Sequence, residues 1–149
     1  MFTDFVLASL HHLLVFGLMA ILAIELVLVR PGMDAAALRR VVRIDGIYGA
    51  MAVAVILVGI GRILYGLKGW EAYSGNVWFW HKMGVFVLVG LLSIPPTIRF
   101  ARWNRAAKGS AGYTAPADEV RAVRRFLHAE AGLFLLIPVF AAAMARYGT

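Results

Sequence analysis

Four long apolar runs, separated by short stretches where charges and turn residues collect, set the pattern of this chain. They cover residues 5–29, 45–67, 79–101 and 126–147. Each approaches or exceeds the roughly 20 residues an α-helix needs to cross a bilayer. The predicted fold is therefore all-α, an integral membrane protein with four transmembrane helices. Short loops make successive spans antiparallel neighbours, which gives an up-down-up-down bundle. Spans of this length leave little chain for a separate soluble domain, so residues 1–149 read as one domain. The first run has no basic flank before it and no small-residue cleavage site after it, and it is expected to be retained.

Local signals mark the connections. "RPGMD" ends the first helix, because proline restrains the residue before it and glycine accepts turn geometry. "AAALRRVVR" then reads as a short interfacial helix leading into the second span. Pro95-Pro96 predicts a kink or an early end in the third. The second loop, "KGWEAYSGNVWFW", carries Trp70, Tyr73, Trp78 and Trp80, an aromatic belt for the membrane–water boundary. The third, "KGSAGYTAPADE", is a flexible turn.

Composition strengthens the membrane reading. Apolar residues make up 62% and charged residues 15%, against about a half and a quarter in soluble domains. The absence of cysteine excludes disulfides, thiolate metal sites and cysteine nucleophiles. A net charge of +7 suggests nucleic acid until the positions are read. Eleven of the fifteen basic residues flank or fill the first and third loops: Arg30, Arg39, Arg40, Arg43, Arg99, Arg102, Arg105, Lys108, Arg121, Arg124 and Arg125. Elsewhere stand only Arg62, Lys68, Lys82 and Arg146. That asymmetry is the positive-inside pattern. It places loops one and three in the cytoplasm and both termini on the periplasmic or extracellular side of a bacterial inner membrane. The expected partner is the lipid bilayer, with the basic loops against anionic headgroups. Nucleic acid is not expected. A membrane or redox partner protein and a homo-oligomer remain open.

Ionisable groups at membrane depth cost several kcal/mol unless paired, so each is a candidate for function. Helical rise sorts them into two layers. His11, Arg62, His81 and Lys82 lie near the end of the bundle that carries the termini, with Trp78 and Trp80. Glu25, Asp45, Arg99, His128 and Glu130 form a polar cluster near the other end. Helical angles refine the picture. His11, Leu18, Leu22 and Glu25 share one stripe of the first span, and His12 points about 100° away. Tyr48, Ala52, Val55, Gly59 and Arg62 share a stripe of the second, and His81, Leu88, Leu92 and Arg99 one of the third. The reading directs His11, Glu25, Tyr48, Arg62 and His81 inward.

Four short stretches resemble known proteins. "SLHHLL" at 9–14, "GIYGAM" at 46–51, "WFWHKMG" at 78–84 and "RFLHAEAGLFLL" at 125–136 are similar to motifs of the bacterial four-span proteins grouped with the copper-resistance protein D membrane domain and the J-type membrane protoporphyrinogen oxidase. The resemblance implies a bundle that binds haem b or a porphyrin, with His11 as axial ligand. His11 and His81 on facing helices could then supply both axial positions. Arg62 and Lys82 would hold the propionates, and Trp78 and Tyr48 complete the candidate cofactor set. A membrane oxidoreductase of the protoporphyrinogen oxidase type is one form of that function; electron transfer is another. A copper-handling protein and a cofactor-free accessory subunit are the alternatives, the latter with its polar residues serving as bundle glue.

Overall fold

A computed structural model of the chain describes residues 1–67 and 69–147; Lys68, one of the four scattered basic residues, lies outside them. The described residues form six helices: α1 (Phe2–Leu28), α2 (Ala35–Tyr65), α3 (Gly69–Ser74), α4 (Val77–Gly109), α5 (Ala117–Phe134) and α6 (Leu136–Tyr147). Four helical segments are long and apolar enough to cross a membrane: α1, α2, α4, and α5 with α6 together. They pack in chain order around a ring, with α1 against α2, α2 against α4, α4 against α5 and α6, and α5 back against α1. The fold is the four-helix membrane bundle.

Local chemistry sets the helix starts. Asp34 caps α2, its carboxylate accepting from the Ala37 N–H at 2.7 Å, and Asn76 caps α4 by accepting from the Trp78 N–H at 3.0 Å. Such caps satisfy amides that no helical carbonyl can reach. Asp118 and Glu119 occupy the first turn of α5, where the helix dipole favours negative charge. After Pro31 the chain turns at Gly32, whose φ of +80° is costly for any residue with a Cβ.

Three elements differ from the sequence expectation. The expected short interfacial helix before the second span is continuous with it. At 31 residues α2 is about 46 Å long, well beyond the roughly 30 Å of bilayer hydrocarbon. Its first turns therefore extend past the apolar layer and carry Arg39, Arg40 and Arg43. In the third span, α4 runs through Pro95-Pro96 to Gly109 with no break. Proline removes a backbone donor and crowds the preceding turn, yet Pro96, Phe100 and Trp103 are all buried against neighbouring helices. Packing on both sides of the prolines holds the helix together. The fourth span is interrupted at Leu135, three residues before Pro138. Pro138 cannot bond the carbonyl of Phe134, so the ladder fails there. Leu135 keeps helical dihedrals of −62° and −21°, and the two pieces serve as one span.

The core is concentrated toward the arginine-rich end, where Leu18, Leu22, Val29, Met33, Leu38, Val41, Phe100, Trp103, Val120, Val123 and Leu127 pack together. Gly17 lets α1 and α2 approach closely, since a Cβ there would lie 2.9 Å from Met51 Sδ. Around the outside, Leu13, Phe16, Val53, Leu57, Val87, Leu91 and Ile98 are exposed. An apolar surface of this extent is a lipid-facing belt.

Candidate functional site

Toward the end that carries the termini, the core gives way to a cleft. Two adjoining cavities of about 150 and 510 Å³ share His11, Val15, Arg62, Tyr73, Lys82, Phe134 and Ile137 as walls. The cleft is bounded by α1, α2, α4 and the α5–α6 junction. Aliphatic and aromatic side chains make most of its surface, and three basic side chains stand in it.

The four histidines divide cleanly. Nδ1 of His12, of His81 and of His128 each lies 2.6 to 2.8 Å from the carbonyl four residues earlier, at Ala8, Val77 and Arg124. Those three rings are exposed and held by their own helices, and of them His12 also borders the larger cavity. His11 is half-buried, and its Nδ1 has no hydrogen-bond partner. A buried, unpaired polar atom is costly; the Val55 backbone stands within reach of this ring, so the protein offers the imidazole one weak backbone partner and no side-chain partner. Gly59 faces it across the cleft: a Cβ there would meet His11 Cε1 at 3.4 Å. Alanine fits at that distance, and any larger side chain would enter the space beside the ring.

Arg62 and Lys82 carry the cleft's fixed charge. Arg62 Nε is buried without a partner. Lys82 Nζ lies 5.6 Å from the centre of the Phe79 ring, a cation–π distance. Among the described residues neither is ion-paired; the two ion pairs there both use Glu119, with Arg99 and Arg102. Two uncompensated cations on an apolar wall favour an anion with an apolar body.

His81 departs from the expectation. It faces outward, against Trp78 and Phe140, with ring centroids 5.7 Å from each. The buried stripe of α4 is Phe79, Val89, Pro96, Phe100 and Trp103. His81 stands two residues, about 200°, from Phe79. It therefore cannot pair with His11 across the cleft. Trp78 goes with it, stacked on Phe140 at 6.1 Å and absent from the cleft wall. Tyr73, expected in the interfacial belt, is buried and lines the cleft, carried there by the short helix α3. Only the position of α3 reveals this, since an aromatic in a loop gives no helical phase.

The second polar layer also regroups. Tyr48 leaves the cofactor set and joins the carboxylates: its hydroxyl donates to Glu130 Oε1 at 2.5 Å. Glu25 and Glu130 are only 2% and 1% exposed. Asp45 Oδ1 accepts from the Thr97 hydroxyl at 2.7 Å. Arg99 is not part of this cluster but pairs with Glu119 at 3.2 Å, and His128 is exposed on the far side of α5. Glu119 also accepts from Arg102 at 2.5 Å and from the Trp103 indole at 2.7 Å, tying α4 to the start of α5. The indole hydrogen bond, aided by Arg102 and Arg99, holds its carboxyl below the usual range. No group of three or more His, Asp or Glu side chains able to hold a metal ion occurs among the described residues.

A four-helix bundle with a lipid-facing belt defines an integral membrane protein, here with a cationic cleft inside its bundle. Residues 3–148 match the family described as predicted membrane protein (DUF2214). The chain belongs to that family. Comparison with curated proteins gives no match, and comparison with solved structures gives none.

Proposed function

We propose that the protein binds a haem b or a porphyrin in the cleft near its termini, for redox chemistry or electron transfer in the membrane. The observation that carries this reading is the convergence of an unpartnered imidazole, His11, with two unpaired cations, Arg62 and Lys82, on one apolar cleft. A porphyrin presents the complementary set: a broad apolar ring, carboxylates at its edge and, in haem, an iron that takes imidazole. His11 would hold the iron. Arg62 and Lys82 would hold the propionates as charge-assisted pairs. Phe86, Phe134 and Ile137 would keep water from the ring face. Bound haem supplies one-electron chemistry, and the protein orients and tunes it. With His81 turned outward, ligation would use His11 alone.

The resemblance of "SLHHLL" and "WFWHKMG" to the protoporphyrinogen oxidase motifs supports the same site through His11 and Lys82. In this reading the arginine-rich end faces the cytoplasm of a bacterial cell and the cleft opens toward the outer side. A cysteine placed at Ser110 in this cysteine-free chain tests the orientation. It should resist an impermeant reagent in intact cells; labelling from outside reverses the assignment.

Titration of the detergent-purified protein with haemin and, separately, with metal-free protoporphyrin tests the binding proposal. Saturable uptake of both at about one per chain is expected, with haemin held more tightly through the iron bond. Failure of both to saturate would remove the reading, and saturation by one alone would assign the cleft to that ligand.

A further inference from the structure

The cleft does not use the second polar cluster. Its central members come from three helices: Glu25 on α1, Tyr48 on α2 and Glu130 on α5. Tyr48 spends its one donor on Glu130 Oε1. Glu25 Oε1 and Glu130 Oε2 are left buried with no hydrogen-bond partner. These two oxygens belong to side chains at least nine-tenths buried, and each lacks a donor that the surrounding protein could supply.

The polar and charged groups on each packed element are accounted for elsewhere. On α1 the charged neighbour is Glu25 itself. On α2 they are Asp45 and the Tyr48 hydroxyl. On α4 the Thr97 hydroxyl goes to Asp45, and Arg99 turns away to Glu119. On α5 Arg124 donates to the carbonyls of Leu26 and Val29, at 3.0 and 2.5 Å, and so caps α1. Three carboxyl groups thus share one region with no basic side chain paired to any of them among the described residues. Several ionised carboxylates without counter-charge are untenable in a dry interior. No group of three or more acidic or histidine side chains in metal-binding geometry occurs there among the described residues.

We propose that Glu25, Tyr48 and Glu130 form a proton-binding site, loaded from the arginine-rich end through Asp45. The incoming proton forms an O–H bond on Glu25 Oε1 or Glu130 Oε2; nothing is oxidised or reduced. Asp45 stands one helical turn before Tyr48, toward the arginine-rich end, and is only half-buried. It lines a groove of about 300 Å³ between α2 and α4 together with Tyr48, Ser93 and Thr97. Toward the other end the same groove reaches Ile56 and Phe86, which also wall the smaller cavity of the cleft. Leu18, Leu22, Val55 and Val89 are buried along the same helices, and fourteen residues of α1, about 21 Å, separate Glu25 from His11. The site is therefore approached through Asp45, and none of its three members lines the cleft. It does not depend on what occupies that cleft.

Infrared spectroscopy of the full-length protein in nanodiscs tests this. The wild type should show the carbonyl stretch of protonated carboxylic acid at neutral pH, where exposed acids show none. Glu25→Gln and Glu130→Gln should each remove part of it, and Tyr48→Phe should shift the Glu130 component. Asp45→Leu should leave the Glu25 and Glu130 components of the band in place and slow their hydrogen–deuterium exchange. Absence of the acid band from the wild type overturns the proposal without recourse to any variant. A band that survives intact in both Gln variants, or exchanges at an unchanged rate in Asp45→Leu, overturns the site or its route.

Discussion

Tyr48 on α2 donates a 2.5 Å hydrogen bond to Glu130 on α5, joining two helices whose backbones do not approach each other among the described residues. The ring of helix contacts runs around the bundle, and this bond crosses its centre. Both residues are almost wholly buried, at 5% and 1% exposure. The pair therefore fixes the diagonal of the bundle, which the edge contacts leave less constrained.

Tyr48→Phe should cost about 1–3 kcal/mol, because it leaves the Glu130 carboxyl with neither oxygen bonded. Glu130→Gln keeps an acceptor for the tyrosine hydroxyl and should cost less. Unfolding midpoints of the two variants in the same detergent check the order. Equal losses would mean that the hydrogen bond adds nothing to the packing of the ring.

Arg124 makes a second long connection. Its guanidinium donates to the carbonyls of Leu26 and Val29 at the end of α1, which has no basic residue in its own last turn. Arg124→Met should destabilise by about 1.5–3 kcal/mol, the range for hydrogen bonds from a charged donor. Both bonds leave the one nitrogen Nη1, and an ammonium also carries several donors on one nitrogen, so Arg124→Lys should recover part of the loss. Denaturant titration followed by circular dichroism measures both.

Glu119 stands before the apolar part of the fourth span and gives the arginine-rich end a pH dependence. Its carboxyl is held below the usual range, first by the Trp103 indole. A group depressed in the folded state stabilises fully above its unfolded value and loses that contribution as pH falls through the folded one. Acidification below the ordinary carboxylate range, about 4.3, should therefore lower the unfolding temperature. Glu119→Gln should be less stable than the wild type at neutral pH, and the difference should shrink in acid. A gap that stays constant with pH would assign Glu119 a role independent of its charge.

The sequence is a good guide to this fold where hydropathy speaks and a poor one where several faces compete. Runs of about 20 apolar residues announce spans without ambiguity. On α1, one stripe carries His11, Leu18, Leu22 and Glu25, and the fold turns Leu18, Leu22 and Glu25 to the centre. On α4 almost every position is apolar, so no stripe stands out. Placing His81 inward followed its polarity, whereas the helix is oriented by its bulkiest contacts, Phe79, Phe100 and Trp103. Arg99 and His128 looked buried because they fall near apolar runs. In the fold Arg99 reaches Glu119, which is twenty residues away in sequence and so invisible to helical spacing. Tyr48 was visible as an inward residue, but its partner could be known only once the diagonal helix was in place.

The availability of His11 and the commitment of His12 to its own helix make the pair in "SLHHLL" the most direct test of the account. The measurement is the Soret spectrum of wild type, His11→Ala and His12→Ala, each purified after haem-replete expression and compared at equal protein concentration. Haem bound by the wild type and by His12→Ala, with at least a tenfold loss of affinity in His11→Ala, about 1.4 kcal/mol or more, is the predicted result. Equal retention of haem by His11→Ala and His12→Ala, or no haem in the wild type, would contradict it.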